Sequence, residues 1–385
     1  MKLDLLYELQ PKPKPWDKPH PYGQREAEQS VYTEGIEQIQ LADRLGFNTV
    51  WVVEHHFRDG RSASPCSEAV LGGLALSTRQ IKLGFGVTLM PFGFIHPARI
   101  AEKVATVDVL SGGRVEWGTG RSTPMEQIAF GVPTDDRSRE QWREAIEIVV
   151  KMWESELFEW DSPNFKFPPR IITPKPVQDP HPPVWQAAAS EKSAITAGEL
   201  GLGLLHLSLT HPVAKMAETI GLYREAQAGA RTEDQLTRVK NDRVGAYTLV
   251  HCYDDEAEAA DYGLWSSVSW WYRNLAQFTL QWELAGLPEE QKAKAFPLLE
   301  AALQTDPPVD KYRREDQIIV GTPDEVLEKV IRYDEAGVDE LLCYIQFGSL
   351  PHEKVMRNIE LLGTEVLPKL EARGHRVGTT VAVAS

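Results

Sequence analysis

The stretch TVWVVEHHF, residues 49–57, decides how the rest of the chain is organised. It starts with an apolar, mostly β-branched run that is typical of a buried strand, and it ends with Glu54, His55, His56 and a phenylalanine. Because neighbouring side chains of a strand point to opposite faces, the two histidines cannot both enter one pocket, and they lack the spacing of a metal-binding pair on a helix. We therefore expect one histidine to face a functional site without a metal; two structural histidines at a strand end are the alternative.

The composition excludes several classes of protein. The chain has 385 residues with a formal net charge of -15, which argues against nucleic acid or an anionic membrane as a partner. Its three cysteines form no CxxC pair and no even-numbered disulfide framework, which favours reduced thiols. The amino end has no signal-peptide pattern, and no apolar run is long enough for a membrane helix. We expect a cytoplasmic enzyme that acts on a small molecule.

Strand-like and helix-like segments alternate along the whole chain. A helical pattern ends at Gly46 just before the 49–57 strand, and the alternation continues towards the carboxyl end. Eight strands, each followed by a helix, predict a closed (β/α)8 TIM barrel in a single domain of residues 1–373. Insertions are expected at about residues 158–176 and, after strand seven, at about 262–314, with a flexible tail at 374–385. A doubly wound sheet is disfavoured, because the glycine pattern of a dinucleotide-binding loop is missing.

Polar residues at the carboxyl ends of the predicted strands are the candidates for chemistry. Besides residues 54–56, these are Arg121, just past the fourth strand, and Ser190, at the start of the helix after the fifth. A guanidinium and the free N–H groups of a helix start together make a phosphate site, although a surface arginine and a capping serine would give the same pattern. The aromatic segment 265–282 is interpreted as core or dimer packing, or alternatively as a lid.

Four segments together resemble the bacterial luciferase-like flavin-dependent monooxygenases: TVWVVEHHF (49–57), HPARIAE (96–102), LSGGR (110–114) and VGTPDE (320–325). The resemblance covers most of the chain in order. It implies a (β/α)8 barrel with a long insertion after strand seven, a flavin at the carboxyl ends of the strands, and often a homodimer. It also implies a reaction in which reduced FMN, supplied by a separate NAD(P)H:flavin reductase, reacts with O2 to give a C4a-(hydro)peroxyflavin that oxygenates a small, mainly apolar organic substrate.

The same resemblance implies roles for individual residues. His55 matches the active-site histidine that acts as a base, with Glu54 and His56 as neighbours that could join it. Arg121 and Ser190 match the residues that bind the flavin phosphate.

Three further positions follow from the resemblance. The dipeptide Gly86–Val87 corresponds to a non-proline cis peptide bond beneath the flavin ring, and a glycine allows the ring to approach the backbone. Gly120 stands where luciferase has a reactive cysteine, and Ala189 where it has a glutamate. Light emission from a fatty aldehyde is therefore not expected.

Two other functions stay open at this point. A deazaflavin F420-dependent oxidoreductase uses the same barrel for hydride transfer without oxygen, and a non-catalytic flavin-binding or partner subunit also retains it. Within the oxygenase interpretation, hydroxylation, Baeyer–Villiger oxidation and desulfonation are alternatives, of which desulfonation is mildly disfavoured because no second anion cluster is evident.

Overall fold

The computed structural model describes residues 1–14, 18–19, 21–209, 211–278, 289–290, 293, 297, 304–374 and 380–382. Its strands are β1 (Lys2–Tyr7), β2 (Thr49–Val52), β3 (Lys82–Leu89), β4 (Val115–Gly120), β5 (Phe158–Asp161), β6 (Lys166–Arg170), β7 (Val184–Ala188), β8 (Gly203–Leu207), β9 (Val239–Asn241), β10 (Val244–Cys252), β11 (Ile319–Gly321), β12 (Glu340–Tyr344) and β13 (Thr380–Ala382).

The α-helices described are α1 (Tyr22–Leu45), α2 (Ser67–Ser77), α3 (Pro97–Ser111), α4 (Pro124–Ala129), α5 (Arg137–Glu154), α6 (Glu191–Glu199), α7 (Val213–Gly229), α8 (Glu256–Asp261), α9 (Leu264–Phe278), α10 (Val309–Arg314), α11 (Pro323–Glu335), α12 (His352–Leu361) and α13 (Leu367–Arg373). A π-helical segment, Leu362–Val366, joins the last two helices. Within the described residues, no helix is both long enough and apolar enough to cross a membrane.

Eight parallel strands close into a barrel, which confirms the predicted (β/α)8 fold. They pair in the order β10, β12, β1, β2, β3, β4, β7, β8, and β8 pairs with β10 to complete the circle. The 49–57 stretch contributes β2, which lies between β1 and β3 and is entirely buried. Because all eight strands run in the same direction, their carboxyl ends share one face of the barrel, where polar side chains can meet.

Local signals set several boundaries of these elements. Gly46 ends α1 in the left-handed region, with φ of 86°, where a side chain would be strained. At the start of α11, Thr322 and Glu325 form a capping box around Pro323. Helix α1 begins at Tyr22, although its first two turns are largely exposed and carry no apolar periodicity that would predict them from the sequence.

The end of the barrel opposite the carboxyl face is sealed by a buried ion network. Arg243, just before β10, donates to Glu116 on β4 at 2.9 and 2.7 Å and to Glu340 on β12 at 2.8 Å. Trp185 also donates its indole N–H to Glu116 at 2.8 Å. Burial would raise the pKa of Glu116, but Arg243 and Lys82 outweigh it and lower this pKa to about 2. The network therefore keeps its charges at neutral pH.

Both predicted insertions depart from the barrel pattern. The first contains the antiparallel hairpin of β5 and β6. The second contains α8, α9 and α10; within α9, Trp271 is buried and its ring meets that of Tyr344 edge-on. Of the aromatic residues in this insertion, Trp282 and Phe296 lie outside the described residues.

Three short strands, β9, β11 and β13, add to the predicted set. Strand β11 extends the sheet beside β10, and β13, within the predicted tail, pairs antiparallel with β9. The other tail residues from 375 onward lie outside the described part of the chain, so the single-domain division and the flexible tail stay predictions.

Candidate active site

A cavity of about 640 Å³ opens at the carboxyl face of the barrel. All eight barrel strands or the loops that follow them, together with α5 and α6, contribute residues to its lining, which is largely apolar and includes Leu6, Val53, Leu89, Leu205 and Leu207. A concave, largely apolar site of this size at this face of a TIM barrel is the expected place for a cofactor and a small substrate.

The cavity brings together the residues that the sequence singled out. His55, Gly86, Val87, Arg121 and Ser190 all line it. Their cofactor and catalytic roles remain predictions, but the location is common to all five.

The other two polar residues of the 49–57 stretch lie differently. Glu54 lines the cavity and pairs with the buried Lys103, whose Nζ lies 3.2 Å from its carboxylate. His56 is not among the lining residues of the described chain; its ring packs edge-on against Phe130, with centroids 4.9 Å apart. One histidine of the pair thus faces the cavity, as the alternation of side chains predicts.

A buried carboxylate orients His55. Nδ1 of His55 lies 3.1 Å from Oε1 of Glu126, which is fully buried in α4. The same oxygen accepts the backbone N–H of His56 at 2.7 Å, and Oε2 accepts the hydroxyl of Ser122 at 2.5 Å. An ionised carboxylate can only accept, so Nδ1 carries the hydrogen and Nε2 of the neutral ring is left with its lone pair.

The charge of Glu126 depends on its neighbours. Burial alone would raise its pKa, but His55, the positive charge of Arg58 and the Ser122 hydroxyl outweigh this effect and hold the pKa of Glu126 well below its usual range. Sequence reasoning missed this residue. Its signal is the TPME sequence, which places a glutamate at the third position of a short helix, where the carboxylate folds back over the preceding loop.

Cationic groups gather at the other end of the cavity. Arg121 donates to the hydroxyl of Ser138 at 3.0 Å, and its pKa is lowered by burial and by the positive charge of Arg139. Arg139, Arg143 and Lys192 also line this end, and sequence reasoning did not identify them. Arg139 and Arg143 are four residues apart and so share one face of α5. This spacing points to the cavity only once the structure shows that α5 lies beside it.

The start of α6 completes this end. Ser190 is its N-cap, and its hydroxyl accepts the N–H of Ser193 at 3.3 Å. A helix start beside clustered cations attracts a phosphate, because both its free N–H groups and its dipole favour negative charge.

Between these two ends, two glycines, Gly86 and Gly120, leave the backbone of β3 and β4 without side chains. The peptide bond between Gly86 and Val87 is cis, as the family resemblance implies, and the pairing of β3 with β4 is interrupted at this point. A Cβ at Gly120 would lie 2.6 Å from Cγ2 of Val87, so the side chain of Val87 occupies the space that a residue at 120 would need. The glycine at this position is thereby explained, and a flat ligand can approach both strands closely.

The donor set fits a flavin mononucleotide. Arg121 and the free N–H groups at the start of α6 are donors of the kind that a phosphate needs, Gly86 has no side chain to obstruct a planar ring, and His55 lines the same cavity. No group of three or more histidine, cysteine or acidic side chains within the described residues could hold a metal ion.

Comparisons with known proteins agree with this geometry. A family model described as luciferase-like monooxygenase matches residues 16–340. The chain is 26% identical over 369 residues to the oxygenase component of the flavin-dependent trigonelline monooxygenase of Acinetobacter baylyi, with 93% of this chain and 95% of that protein covered.

Two further relatives show the range of the similarity. The chain is 27% identical over 361 residues to an F420-dependent glucose-6-phosphate dehydrogenase of Beutenbergia cavernae, with 91% and 97% coverage. The crystal structure of the monooxygenase RslO1 from Streptomyces bottropensis has a TM-score of 0.73 and 27% identity, covering 96% of this chain and 100% of that one.

Proposed function

Because the chain belongs to the luciferase-like monooxygenase family, we propose that it is the oxygenase component of a two-component monooxygenase. It would take FMN reduced by a separate NAD(P)H:flavin reductase and use O2 to oxygenate a small, mainly apolar organic substrate. The observation that carries the proposal is the convergence of His55, the Gly86–Val87 cis peptide, Arg121 and Ser190 on one cavity.

The residues divide the work between binding and proton transfer. Arg121 and the start of α6 would hold the phosphate of FMN, and the Gly86–Val87 backbone would support its ring. Bound reduced FMN supplies the electrons that activate O2. The leucines and valines of the lining would exclude water from the reacting atoms, which limits unproductive release of H2O2.

His55 is the residue that we assign to proton transfer. Glu126 fixes its Nδ1–H, so Nε2 is the atom that takes up a proton and returns it. The ionised Glu126 also stabilises the imidazolium while the ring is charged, since the two groups are in direct contact.

The test is an anaerobic titration with reduced FMN, followed by rapid mixing with O2. We expect reduced FMN to bind and to be oxidised more slowly than free reduced FMN. His55→Ala should bind it with similar affinity but lose this protection and release more H2O2. His96→Ser is the matched control, because His96 caps α3 outside the cavity and serine preserves the cap. Unchanged oxidation kinetics in His55→Ala would remove His55 from the reaction.

An F420-dependent oxidoreductase is the second candidate. Besides Arg121, the cavity has Arg139, Arg143 and Lys192, which is more positive charge than a single phosphate requires and favours a longer anionic tail. The same titration with reduced F420 distinguishes the two. Tighter binding of reduced F420, with hydride transfer to a substrate in the absence of O2, would replace the FMN proposal. Inactivity with both cofactors would favour a non-catalytic partner subunit.

We also propose that the protein forms a homodimer and acts in the cytoplasm. Leu76 on α2 and Val109 and Leu110 on α3 are exposed, the first of them by 74%, on two helices that pack against each other. Exposed apolar side chains on two neighbouring helices support a protein contact. Light scattering after size-exclusion chromatography measures the mass directly, and Leu76→Lys should shift it towards the monomer.

A further inference from the structure

The cavity extends beyond the part assigned to the cofactor. The cofactor residues lie on β3 or follow β2, β4 and β7, whereas β1, β8, β10 and β12 form other parts of the wall. The lining residues of these four strands and of the position after β1 are Leu6, Glu8, Leu205, Leu207, Tyr247 and Leu342. Glu8 is the one charged group among them, so the preference of this part of the cavity for a charge on the ligand depends on it.

Glu8 is held rigidly although it is buried. Its residue is only 3% exposed, and Arg61 donates Nε to Oε2 at 3.0 Å and Nη2 to Oε1 at 3.4 Å. The guanidinium of Arg61 lies 5.2 Å from the ring centroid of Trp271 in α9, and Ser62 donates its hydroxyl to the backbone oxygen of Glu8 at 2.7 Å. Both partners of the ion pair are therefore fixed by the loop after β2 and by the second insertion.

The carboxylate keeps unused acceptor capacity. Burial would raise its pKa, but Arg61, His55 and Arg58 outweigh burial and lower it, so Glu8 is ionised at neutral pH. A carboxylate offers about four acceptor positions, and Arg61 takes two of them. Within the described residues no other side chain donates to Glu8, and Glu8 is one of the residues that line the cavity.

We propose that Glu8 selects the substrate by accepting a hydrogen bond from a hydroxyl or a protonated nitrogen on an otherwise apolar molecule, and that it disfavours carboxylates and sulfonates. This inference rests on the proposed function in one respect, namely the part of the cavity that the cofactor occupies. A ligand with a hydrogen-bond donor gains a charge-assisted hydrogen bond to Glu8. An anionic ligand is repelled by the carboxylate, because Arg61 is already paired with Glu8 and does not line the cavity. Arg61 is a positioning residue, because it touches Glu8 and not the cavity.

The other interpretation is that the ion pair only fastens the loop after β1 to the loop after β2. Such a role predicts lower stability in a Glu8 variant but no change in which ligands the cavity prefers. Ligand preference is thus the informative measurement.

The experiment uses three probes with the same ring and different head groups: benzylammonium, benzyl alcohol and benzoate. Their binding to the full-length protein is measured by calorimetry at pH 7, with and without FMN. The wild type should bind benzylammonium most tightly and benzoate most weakly. Glu8→Gln should weaken benzylammonium on the order of 10- to 100-fold, as expected for a hydrogen bond to a charged group, and should strengthen benzoate. Benzyl alcohol should change only a few-fold, since the glutamine carbonyl still accepts.

Two controls separate folding and function from selectivity. Glu147→Gln removes one carboxylate from the exposed face of α5, outside the cavity, and should leave all three affinities unchanged. Glu8→Asp keeps the charge and should keep the order of the probes.

The outcomes that overturn the inference are a wild type that prefers benzoate or binds no donor-bearing probe, and a Glu8→Gln variant with the wild-type order. If FMN fails to bind but the order holds, the proposed function fails and the role of Glu8 stands. If FMN binds but the three probes do not show the expected order of affinity, the role of Glu8 fails and the proposed function stands.

Discussion

At the scale of single residues, the carboxylate of Glu126 determines what His55 can do. In Glu126→Gln the amide turns its oxygen towards Nδ1, because the same position must accept the backbone N–H of His56; the tautomer is kept, but the negative charge that stabilises the imidazolium is lost. We expect the His55-dependent step to slow by roughly 10²-fold, a typical contribution of a positioned base. FMN affinity should stay near that of the wild type, because Glu126 is not among the lining residues.

Stopped-flow kinetics measures the rate of the His55-dependent step in Glu126→Gln, and ¹⁵N NMR of the imidazole checks that the tautomer is kept. A structural role alone would change stability without slowing this step. An unchanged rate would therefore contradict the assignment.

The close contact between Gly120 and Val87 gives a second prediction at this scale. The added methyl of Gly120→Ala would lie 2.6 Å from Cγ2 of Val87, so the cavity wall must shift. We expect a loss of about 1–3 kcal/mol in the free energy of unfolding, as for other overpacked sites, and weaker FMN binding. Gly72→Ala on α2 is the matched control: its added methyl would have no other atom within 4 Å, and alanine should stabilise the helix by roughly 0.5–1 kcal/mol. Urea denaturation of both variants measures the two changes in the free energy of unfolding. Equal changes would contradict the prediction.

At the scale of elements, the ion network at the closed end of the barrel links β4, β10 and β12. Arg243→Met removes the shared cation and leaves Glu116 and Glu340 buried together without it. We expect a loss of about 3–5 kcal/mol, the usual result of breaking a buried pair. Arg231→Met, on an exposed arginine paired with Asp234, should change stability by at most about 1 kcal/mol. Thermal and urea denaturation measure both, and similar losses would show that the network contributes little.

Elements with a strong local signal could be predicted from the sequence. The apolar run of β2, the glycine that ends α1 and the capping box of α11 are each fixed by residues within one or two turns of the chain. The short strands β9, β11 and β13 could not, because each is defined by pairing with a distant segment rather than by its own three residues.

The site shows the same division between local and distant signals. His55, Arg121 and Ser190 follow strands directly, so their place at the carboxyl face follows from the strand count. Glu126, Arg143 and Glu8 with its partner Arg61 become informative only once α4, α5 and the loop after β2 are placed in space, and their own sequence patterns are those of ordinary helix and loop residues.

At the scale of the whole molecule, three buried histidines couple stability to pH. Burial lowers the pKa of His181 and of His206 to about 4, and that of His251 to about 3, from an ordinary value of 6.5. Below pH 6.5 the unfolded chain takes up these protons and the folded protein does not, so stability falls as the pH falls towards 4. Glu8 and Glu126, whose pKa values are lowered, add to the loss as the pH falls below 4.5.

The expected slope is up to about 4 kcal/mol per pH unit between pH 6 and 4, from about 1.4 kcal/mol for each proton. Denaturation at several pH values measures it. His206→Asn removes one of the three buried histidines and should lower the slope by about one third. His96→Ser replaces a surface histidine and should leave the slope unchanged. A stability that does not change across this range would contradict the prediction.

The closure of the barrel also affects how the protein is made. Strand β1 pairs with β12, with Leu3 opposite Leu341, so β1 leaves the ribosome long before its partner does. Until then β1 and the growing sheet have open edges that could pair with other nascent chains. The barrel therefore closes only after β12 has been synthesised, and chaperones that shield exposed strands should bind this polypeptide during its synthesis and leave once the circle is complete.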